Sequence, residues 1–217
     1  EAVPSDFQKQ AIDLMNRRKV KHNQYFEATP YSDFKVFGTI LPMLPKNSQL
    51  HISNSSPIRY AQLFDIDSSI EVFCNRGTSG IDGSTTTAIG AALASGKPTI
   101  MITGDVSFFY DSNALWNNYI PSNFKIIVIN NGGGGIFRNL EGAKDLPELD
   151  EFMETRQGFT AENTAKDAGI NYFSASNPSE LDLNAFLHNQ GPALLEIHTN
   201  SIENAAELKK YMALFKA

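Results

Sequence analysis

Short apolar segments alternate with helix-like segments along most of the chain, and this alternation restricts the possible folds more than any other feature. Strands that alternate with helices predict a parallel sheet covered on both faces. Runs such as "TIMIT" and "KIIVI" are continuously apolar, as strands buried on both faces require. We therefore predict an α/β fold with a parallel β-sheet of about six strands flanked by helices on both faces. The predicted strands are residues 49–53, 72–75, 99–103, 126–130, 172–174 and 194–198.

Helical patterns lie between most of these strands and at both ends of the chain. Ser5, with Gln8 three residues later, has the pattern of a capping box and predicts that the first helix starts there. A second helix is expected to start at Ser32. The other predicted helices are residues 57–64, 84–95, 108–119, 161–168, 180–189 and 203–215.

Charge and composition exclude several classes of protein. The formal net charge of −6 and the lack of a polybasic run argue against a nucleic-acid partner. No segment approaches the roughly 20 apolar residues of a membrane span, and the N-terminal "EAVPSDFQKQ" does not have the pattern of a signal peptide. The single cysteine, Cys74, ends an apolar run and is expected to be a small buried residue. A reduced, cytoplasmic setting fits these features.

Four consecutive glycines, Gly132 to Gly135, follow the predicted strand 126–130. A flexible linker could tolerate this run, and so could a site where the backbone must approach a ligand closely. Ligands of open α/β sheets bind at the carboxyl ends of the strands. Because the glycines follow a core strand, we favour the site.

Oxygen-bearing groups follow two neighbouring strands in the chain. Asp105 comes just after strand 99–103, and Asn131 comes just after strand 126–130, so both are expected at one edge of the sheet. Carboxylate, carboxamide and backbone carbonyl oxygens suit a hard cation such as Mg²⁺. The start of the helix after Asp105 suits a diphosphate. The simpler alternative is that Asp105 caps its helix and Asn131 forms a turn.

The pair Gly104-Asp105, followed later by Asn130-Asn131, resembles the cofactor-binding motif of the thiamin diphosphate (ThDP)-dependent enzymes, although Val106 stands where many members have a third glycine. The segments "SNRGTSGIDGSTTTAIG", "GDVSFFYDSNAL" and "NNGGGGIF" narrow this resemblance to one family. They are similar to the C-terminal part of the 2-succinyl-5-enolpyruvyl-6-hydroxy-3-cyclohexene-1-carboxylate (SEPHCHC) synthases of menaquinone biosynthesis. The resemblance implies a helical connector from a preceding domain at residues 1–45 and a diphosphate-binding domain at residues 46–217.

The resemblance also implies a reaction and roles for single residues. The reaction is the decarboxylation of 2-oxoglutarate and the addition of its succinyl-semialdehyde unit to isochorismate, with ThDP and Mg²⁺ or Mn²⁺ as cofactors. The implied metal ligands are Asp105, Asn131 and the carbonyl of Gly133. The other implied cofactor-binding residues are Gly80, Ile81, Gly104, Val106, Ser107, Ile136 and Phe137, of which Ile81 supports the bent shape of ThDP. The implied substrate-binding residues are Ser55, Arg59 and Arg76, and arginine suits both dicarboxylate substrates because its planar fork binds carboxylates bidentately.

No activating glutamate is expected in this chain, because members of the family supply it from a separate domain of a neighbouring subunit. The resemblance therefore implies a homodimer or tetramer with shared active sites, and a chain that is inactive by itself. Two alternatives stay open. One is another ThDP-dependent enzyme, of the acetolactate synthase or 2-oxoacid decarboxylase type. The other is a non-catalytic α/β module that binds a phosphorylated ligand or a partner.

Overall fold

Six parallel strands form a single sheet in the computed structural model, which describes residues 5–216. The order of the strands across the sheet is β2-β1-β3-β4-β6-β5. All six predicted strands are confirmed, with ends that shift by one or two residues. Their bounds are β1 Gln49–Ile52, β2 Glu71–Cys74, β3 Thr99–Gly104, β4 Phe124–Asn130, β5 Asn171–Ala175 and β6 Ala193–His198.

The apolar runs predicted to be core strands lie in the centre of the sheet. Every residue of β4 is buried, as are all residues of β3 and β6 except the last of each. Successive side chains of a strand point to opposite faces. Accordingly, Ile100 and Ile102 pack in one hydrophobic cluster, and Met101, between them, packs in the other. The sheet is therefore covered on both faces, as predicted.

Helices occupy most of the predicted intervals. The helix α4 has the bounds predicted for it, whereas α3, α6 and α7 are shorter than predicted and α8 begins and ends two residues earlier. The bounds are α1 Phe7–Ala28, α2 Asp33–Ile40, α3 Ser56–Ala61, α4 Ser84–Ser95, α5 Asp105–Tyr110, α6 Glu162–Asp167, α7 Leu183–Leu187 and α8 Ser201–Ala213.

The prediction of one helix at residues 108–119 is wrong. The helix α5 begins at Asp105 and ends at Tyr110, and a 3₁₀ helix follows at Ser112–Leu115. The carboxylate of Asp111 accepts hydrogen bonds from the backbone N of Thr86 at 2.9 Å and from its Oγ1 at 2.8 Å. The side chain of Asp111 is thus hydrogen-bonded to the start of α4. A short polar side chain that forms hydrogen bonds outside its own helix favours the end of that helix.

The predicted capping box at the first helix is also wrong, because α1 begins at Phe7 with Asp6 at its N-cap. Ser5 Oγ accepts from the backbone N of Phe7 and does not cap the third residue of the helix. The second prediction is correct. Ser32 is the N-cap of α2, and its hydroxyl accepts from the backbone N of Lys35.

The N-terminal helices pack against the sheet-bearing part through α8. The hydroxyl of Tyr25 donates to the Glu207 side chain at 2.8 Å, and Phe34 and Phe37 are buried in the same cluster as the strand residues Ile100 and Ile102. The division between residues 45 and 46 stays a prediction. Residues 1–4 and 217, at the outer ends of the two predicted domains, lie outside the described residues.

The edge strand β2 departs from the expected burial. Val72 and Phe73 are 44% and 43% exposed, and β2 is an edge strand that pairs with β1. Cys74 is half-buried instead of buried, with its Sγ 3.6 Å from Asn54 Oδ1.

Within residues 5–216, no helix has the length and apolar character needed to span a bilayer.

Two helical glycines provide a matched test of the packing between α2 and the N-terminal helix. A Cβ on Gly38 would lie 2.6 Å from Phe64 Cε1 and would also clash with the ring of Phe26, whereas a Cβ on Gly90 would meet nothing within 4 Å. We expect Gly90→Ala to stabilise by about 1 kcal/mol through helix propensity. Gly38→Ala should instead destabilise, because overpacking costs about 1–3 kcal/mol. Thermal unfolding measures both, and a Gly38→Ala variant that melts above the wild type would contradict the packing described here.

Candidate functional site

The register of β3 and β4 brings the two halves of the predicted motif together. Gly104, the last residue of β3, pairs with Ile129, and the chain continues from there into Asp105 on one side and Asn130-Asn131 on the other. Ser55 follows the neighbouring strand β1. The strand order changes direction between β1 and β3, and ligands of open α/β sheets bind outside the carboxyl ends of strands at such a point.

A cavity of about 490 Å³ lies at this edge. It is lined by nearly all of the predicted site residues: Ser55, Arg59, Arg76, Ile81, Gly104, Asp105, Val106, Ser107, Asn131, Gly133, Ile136 and Phe137. Gly80 is the exception. Its carbonyl accepts a hydrogen bond from Asn54 Nδ2 at 2.5 Å, so it supports the loop that carries Ile81 and does not line the cavity itself.

Asp105 is buried at the floor of this site, with only 2% of its surface exposed. Its Oδ1 accepts from the backbone N of Val106 at 2.9 Å, and its Oδ2 accepts from Gln157 Nε2 at 2.7 Å. Burial raises the pKa of Asp105 to about 6, against the opposing effect of hydrogen bonds from Val106, Gln157 and the backbone of Gly133. Gly104, not Asp105, occupies the N-cap position of α5, so the simple capping role is wrong.

Asn131 contributes a carboxamide whose two ends have different environments. Its Nδ2 donates to Asp33 Oδ2 at 3.2 Å. Its Oδ1 is buried and finds no hydrogen-bond partner among residues 5–216. Buried polar atoms normally have a partner, so an orphaned acceptor points to a missing ligand.

The glycine run forms the wall of the cavity beside Asn131. Gly133 has φ of +148°, and a Cβ at this position would lie 2.5 Å from the carbonyl oxygen of Glu154, so only glycine fits. The backbone N of Gly134 donates to that same carbonyl at 2.6 Å, and the backbone N of Gln157 donates to the Gly132 carbonyl at 3.1 Å. These contacts place the run in a packed wall. We expect this run to be more mobile than β4 when no cofactor is bound, because its proposed ligand is then missing.

The donor set fits a hard divalent cation. It comprises the Asp105 carboxylate, the unpartnered Asn131 Oδ1 and the carbonyl of Gly133, all oxygens of the kind that Mg²⁺ and Mn²⁺ prefer. No cluster of three or more His, Cys, Asp or Glu side chains within the described part of the chain forms a competing site.

The two predicted substrate arginines lie at the exposed side of the cavity. Arg59 Nη1 donates to the carbonyl of Ser55 at 2.8 Å, and neither Arg59 nor Arg76 pairs with a carboxylate within 4 Å in the region from residue 5 to 216. Ser55 has φ of +73°, a backbone conformation that is strained for a residue other than glycine. Both guanidinium groups thus remain available to bind carboxylates.

Apolar side chains cover the rest of the cavity. Ile136 is buried, and it lines the cavity together with Phe137, Val106 and Ile81. Ser107 Oγ donates to the carbonyl of Ile81 at 2.5 Å and so ties the Ile81 loop to α5.

Three acidic or amide residues of the site have no counterpart in the sequence predictions. Asp33, at the start of α2, and Glu154 line the cavity, and Gln157 holds Asp105. Burial raises the pKa of Asp33, and hydrogen bonds from Thr199, Asn131 and Asn204 oppose that shift. None belongs to a local motif, because each reaches the site only through tertiary packing. The one sequence feature that pointed to Asp33 was its place beside Ser32 at a predicted helix start. An acidic residue at that place is equally well explained by helix capping.

The raised pKa of Asp105 predicts a pH-dependent stability of the metal-free protein. The pKa of this carboxyl is 3.8 in the unfolded chain and about 6 in the folded protein, so its stabilising contribution is present below pH 3.8 and is lost as the pH rises through about 6. Asp105→Asn cannot ionise. When the pH is raised from 4.5 to 7.5, the free energy of unfolding of the variant should therefore rise by about 2 kcal/mol relative to that of the wild type. The difference accumulates at about 1.4 kcal/mol for each pH unit between 4.5 and 6.

Denaturant unfolding of both proteins at pH 4.5 and at pH 7.5 measures this change. Any effect of the substitution that does not depend on pH cancels when the two pH values are compared. Asp13→Asn, at an exposed position of α1, is the control and should show little change. A difference for Asp105→Asn that is independent of pH would contradict the assignment.

Comparisons with known proteins agree with this geometry. Residues 55–197 match the family model described as thiamine pyrophosphate enzyme, C-terminal TPP binding domain. The chain is 56% identical over 214 residues to the 2-succinyl-5-enolpyruvyl-6-hydroxy-3-cyclohexene-1-carboxylate synthase of Flavobacterium johnsoniae, covering 97% of this chain and 39% of the relative. The proteins of the same name from Flavobacterium psychrophilum and Bacteroides fragilis are 53% and 37% identical, each over 97% of this chain and 38% and 40% of the relative.

The chain thus spans about two fifths of the length of these curated relatives and aligns with them over nearly all of its own length. The family match begins at Ser55, just after β1, and covers β3, β4 and the whole glycine run, so it includes most of the residues that line the cavity. The chain therefore belongs to the thiamine pyrophosphate enzymes, of which it carries the C-terminal TPP binding domain.

Proposed function

We propose that this chain supplies the diphosphate and metal half-site of a SEPHCHC synthase. The reaction is the decarboxylation of 2-oxoglutarate and the addition of the succinyl-semialdehyde unit to isochorismate, in menaquinone biosynthesis. The names of the relatives support this choice among ThDP-dependent enzymes. The observation that carries it is the unpartnered Oδ1 of Asn131 in the same cavity as the buried Asp105.

Asp105, Asn131 and the carbonyl of Gly133 would hold Mg²⁺ or Mn²⁺, which in turn would bind the diphosphate. Gly104, Val106 and Ser107 lie at the start of α5 and line the cavity, where they would lie beside the diphosphate. When bound, ThDP supplies the carbanion chemistry that amino-acid side chains lack. The apolar side chains of Ile81, Ile136 and Phe137 would exclude water from the reacting end of the cofactor and would orient it.

Arg59, Arg76 and Ser55 would bind the substrates at the mouth of the cavity. Both proposed substrates are dicarboxylates, and each arginine has a guanidinium without a carboxylate partner in the described residues. A pyruvate-specific enzyme has less need for two such groups. This difference favours a SEPHCHC synthase over an enzyme of the acetolactate synthase or 2-oxoacid decarboxylase type that acts on pyruvate.

The complete active site would need a second chain. The glutamate that activates ThDP is expected in a separate domain of a neighbouring subunit, so we place the working site in a homodimer or tetramer and expect this chain to be inactive by itself. A cytoplasmic setting is consistent with one free cysteine, half-buried beside Asn54.

The metal assignment predicts that Asp105→Ala weakens the Mg²⁺-dependent binding of ThDP at least roughly tenfold, the scale expected when one charged contact is lost. Calorimetry on the full-length protein, with and without Mg²⁺, measures this loss. Asp13→Ala, in the exposed face of α1, is the matched control and should bind as the wild type does. Unchanged Mg²⁺ dependence in Asp105→Ala would exclude Asp105 as a ligand.

The substrate assignment predicts that, in the full-length enzyme, Arg59→Lys and Arg76→Lys each lower kcat/KM for the two-substrate reaction by roughly 10–100-fold, because lysine keeps the charge and loses the bidentate fork. Arg17→Lys, at an exposed position of α1, should leave kcat/KM unchanged. Wild-type kinetics in both lysine variants would show that neither arginine binds substrate. Product formation from pyruvate without isochorismate would instead favour another ThDP-dependent enzyme.

A further inference from the structure

Asp33 is a buried carboxylate next to the proposed metal ligands, and neither the family motif nor any predicted role includes it. It is 1% exposed and lies at the start of α2, far in sequence from the cavity that it lines. Thr199 Oγ1 donates to its Oδ1 at 2.6 Å, and Asn131 Nδ2 donates to its Oδ2 at 3.2 Å. Its backbone N donates to Asn204 Oδ1 at 2.8 Å, which fixes the start of α2 against α8.

These contacts determine the orientation of the Asn131 carboxamide. A carboxamide can present either its oxygen or its NH₂ group, and only the oxygen can bind a cation. Asp33 Oδ2 accepts the hydrogen bond from the NH₂ group of Asn131, and this contact turns the carboxamide oxygen of Asn131 away from Asp33. Thr199, which donates to the other oxygen of Asp33, holds the carboxylate in place.

The neighbouring asparagine provides an internal comparison. Asn130 Nδ2 donates to the buried carboxylate of Glu196 at 2.7 Å, so both asparagines give their NH₂ groups to buried acids. However, Asn130 Oδ1 accepts from the backbone N of Gly132 at 3.2 Å. Within residues 5–216, Asn131 alone of the two keeps an unpartnered oxygen. Asn130 therefore holds the start of the glycine run through its Oδ1, whereas the Oδ1 of Asn131 has no hydrogen-bond donor within residues 5–216.

We propose that Asp33 is a positioning residue that orients the Asn131 carboxamide, so that its oxygen and not its NH₂ group is presented to the metal ion. This inference rests on the proposed function for the identity of the ligand. It also links the N-terminal segment to the metal half-site, because the carboxylate comes from α2 and its target comes from the end of β4.

Three variants separate orientation from charge and from general stability. Asp33→Asn removes the charge and can offer its own NH₂ group, which favours the wrong orientation of Asn131. Thr199→Val keeps the Asp33 charge and loosens its position. Glu207→Gln is the matched control, because Glu207 is also a buried carboxylate between the N-terminal helices and α8, with Tyr25 as its partner and no contact to Asn131.

The first measurement is the Kd of Mn²⁺ in the presence of ThDP, followed by electron paramagnetic resonance on the full-length protein. Partners that orient metal ligands contribute roughly 10–100-fold to affinity, so Asp33→Asn should raise the Kd by that factor. Thr199→Val should raise it by a smaller factor, and Glu207→Gln should leave it unchanged while lowering the melting temperature.

The second measurement needs no metal. The side-chain NH₂ resonances of Asn131 in the ¹⁵N-labelled, metal-free protein, identified by their loss in Asn131→Asp, should shift in Asp33→Asn and in Thr199→Val but not in Glu207→Gln. If Asp33→Asn does not fold, Thr199→Val decides alone.

An unchanged Mn²⁺ Kd in Asp33→Asn, or unshifted NH₂ resonances, would overturn the proposal. A raised Kd in Asp33→Asn together with wild-type behaviour of Thr199→Val would also overturn it, because charge rather than orientation would then be the cause. Failure of the wild type to bind Mn²⁺ with ThDP would refute the proposed function instead, and the resonances would still decide whether Asp33 orients Asn131.

Discussion

The parallel pairing of β3 with β4 is the constraint on which the site depends. It sets Gly104 beside Ile129 and so brings Asp105 and the asparagine pair to one edge of the sheet. A shift of register by one residue would turn every side chain of a strand to the opposite face. The register is secured by the apolar residues of both strands, which are buried in the clusters on the two faces. The same packing that stabilises the core therefore sets the spacing of the proposed metal ligands.

Several buried acids surround this edge: Asp33, Asp105, Glu154 and Glu196 are each 2% exposed or less. Charged groups are rarely buried without partners, because their removal from water is costly. Three of these acids have clear partners, since Glu196 accepts from Asn130, Tyr172 and Ala161, Glu154 pairs with Arg138, and Asp33 accepts from Thr199 and Asn131. Asp105 accepts from Val106 N and Gln157 Nε2, both uncharged, and burial raises its pKa to about 6. A bound cation would stabilise the charged form of this carboxylate, so the metal-free site carries a strain that ligand binding would relieve.

Much of this arrangement could be predicted from the sequence. The short apolar runs predicted all six strands, and the residues that follow β3 and β4 predicted the edge that carries the cavity. Helix ends were less predictable, because they depend on contacts between separate parts of the chain. For example, α5 ends at Tyr110, and the next residue, Asp111, accepts hydrogen bonds from Thr86. Asp33, Glu154 and Gln157 could not be found for the same reason. Each is an ordinary polar residue in its local sequence, and it reaches the site only when α2 and the segment after the glycine run pack against the ends of the strands.

The central claim is that this edge holds a metal ion through Asp105, Asn131 and the Gly133 carbonyl. The most direct test is anomalous diffraction at the manganese edge from crystals of the full-length protein grown with ThDP and Mn²⁺. The account predicts one strong peak in the cavity, in contact with an Asp105 carboxylate oxygen, with the Asn131 carboxamide oxygen and with the Gly133 carbonyl oxygen. A peak held by other residues, or an ion that the Asn131 side chain does not contact, would contradict it.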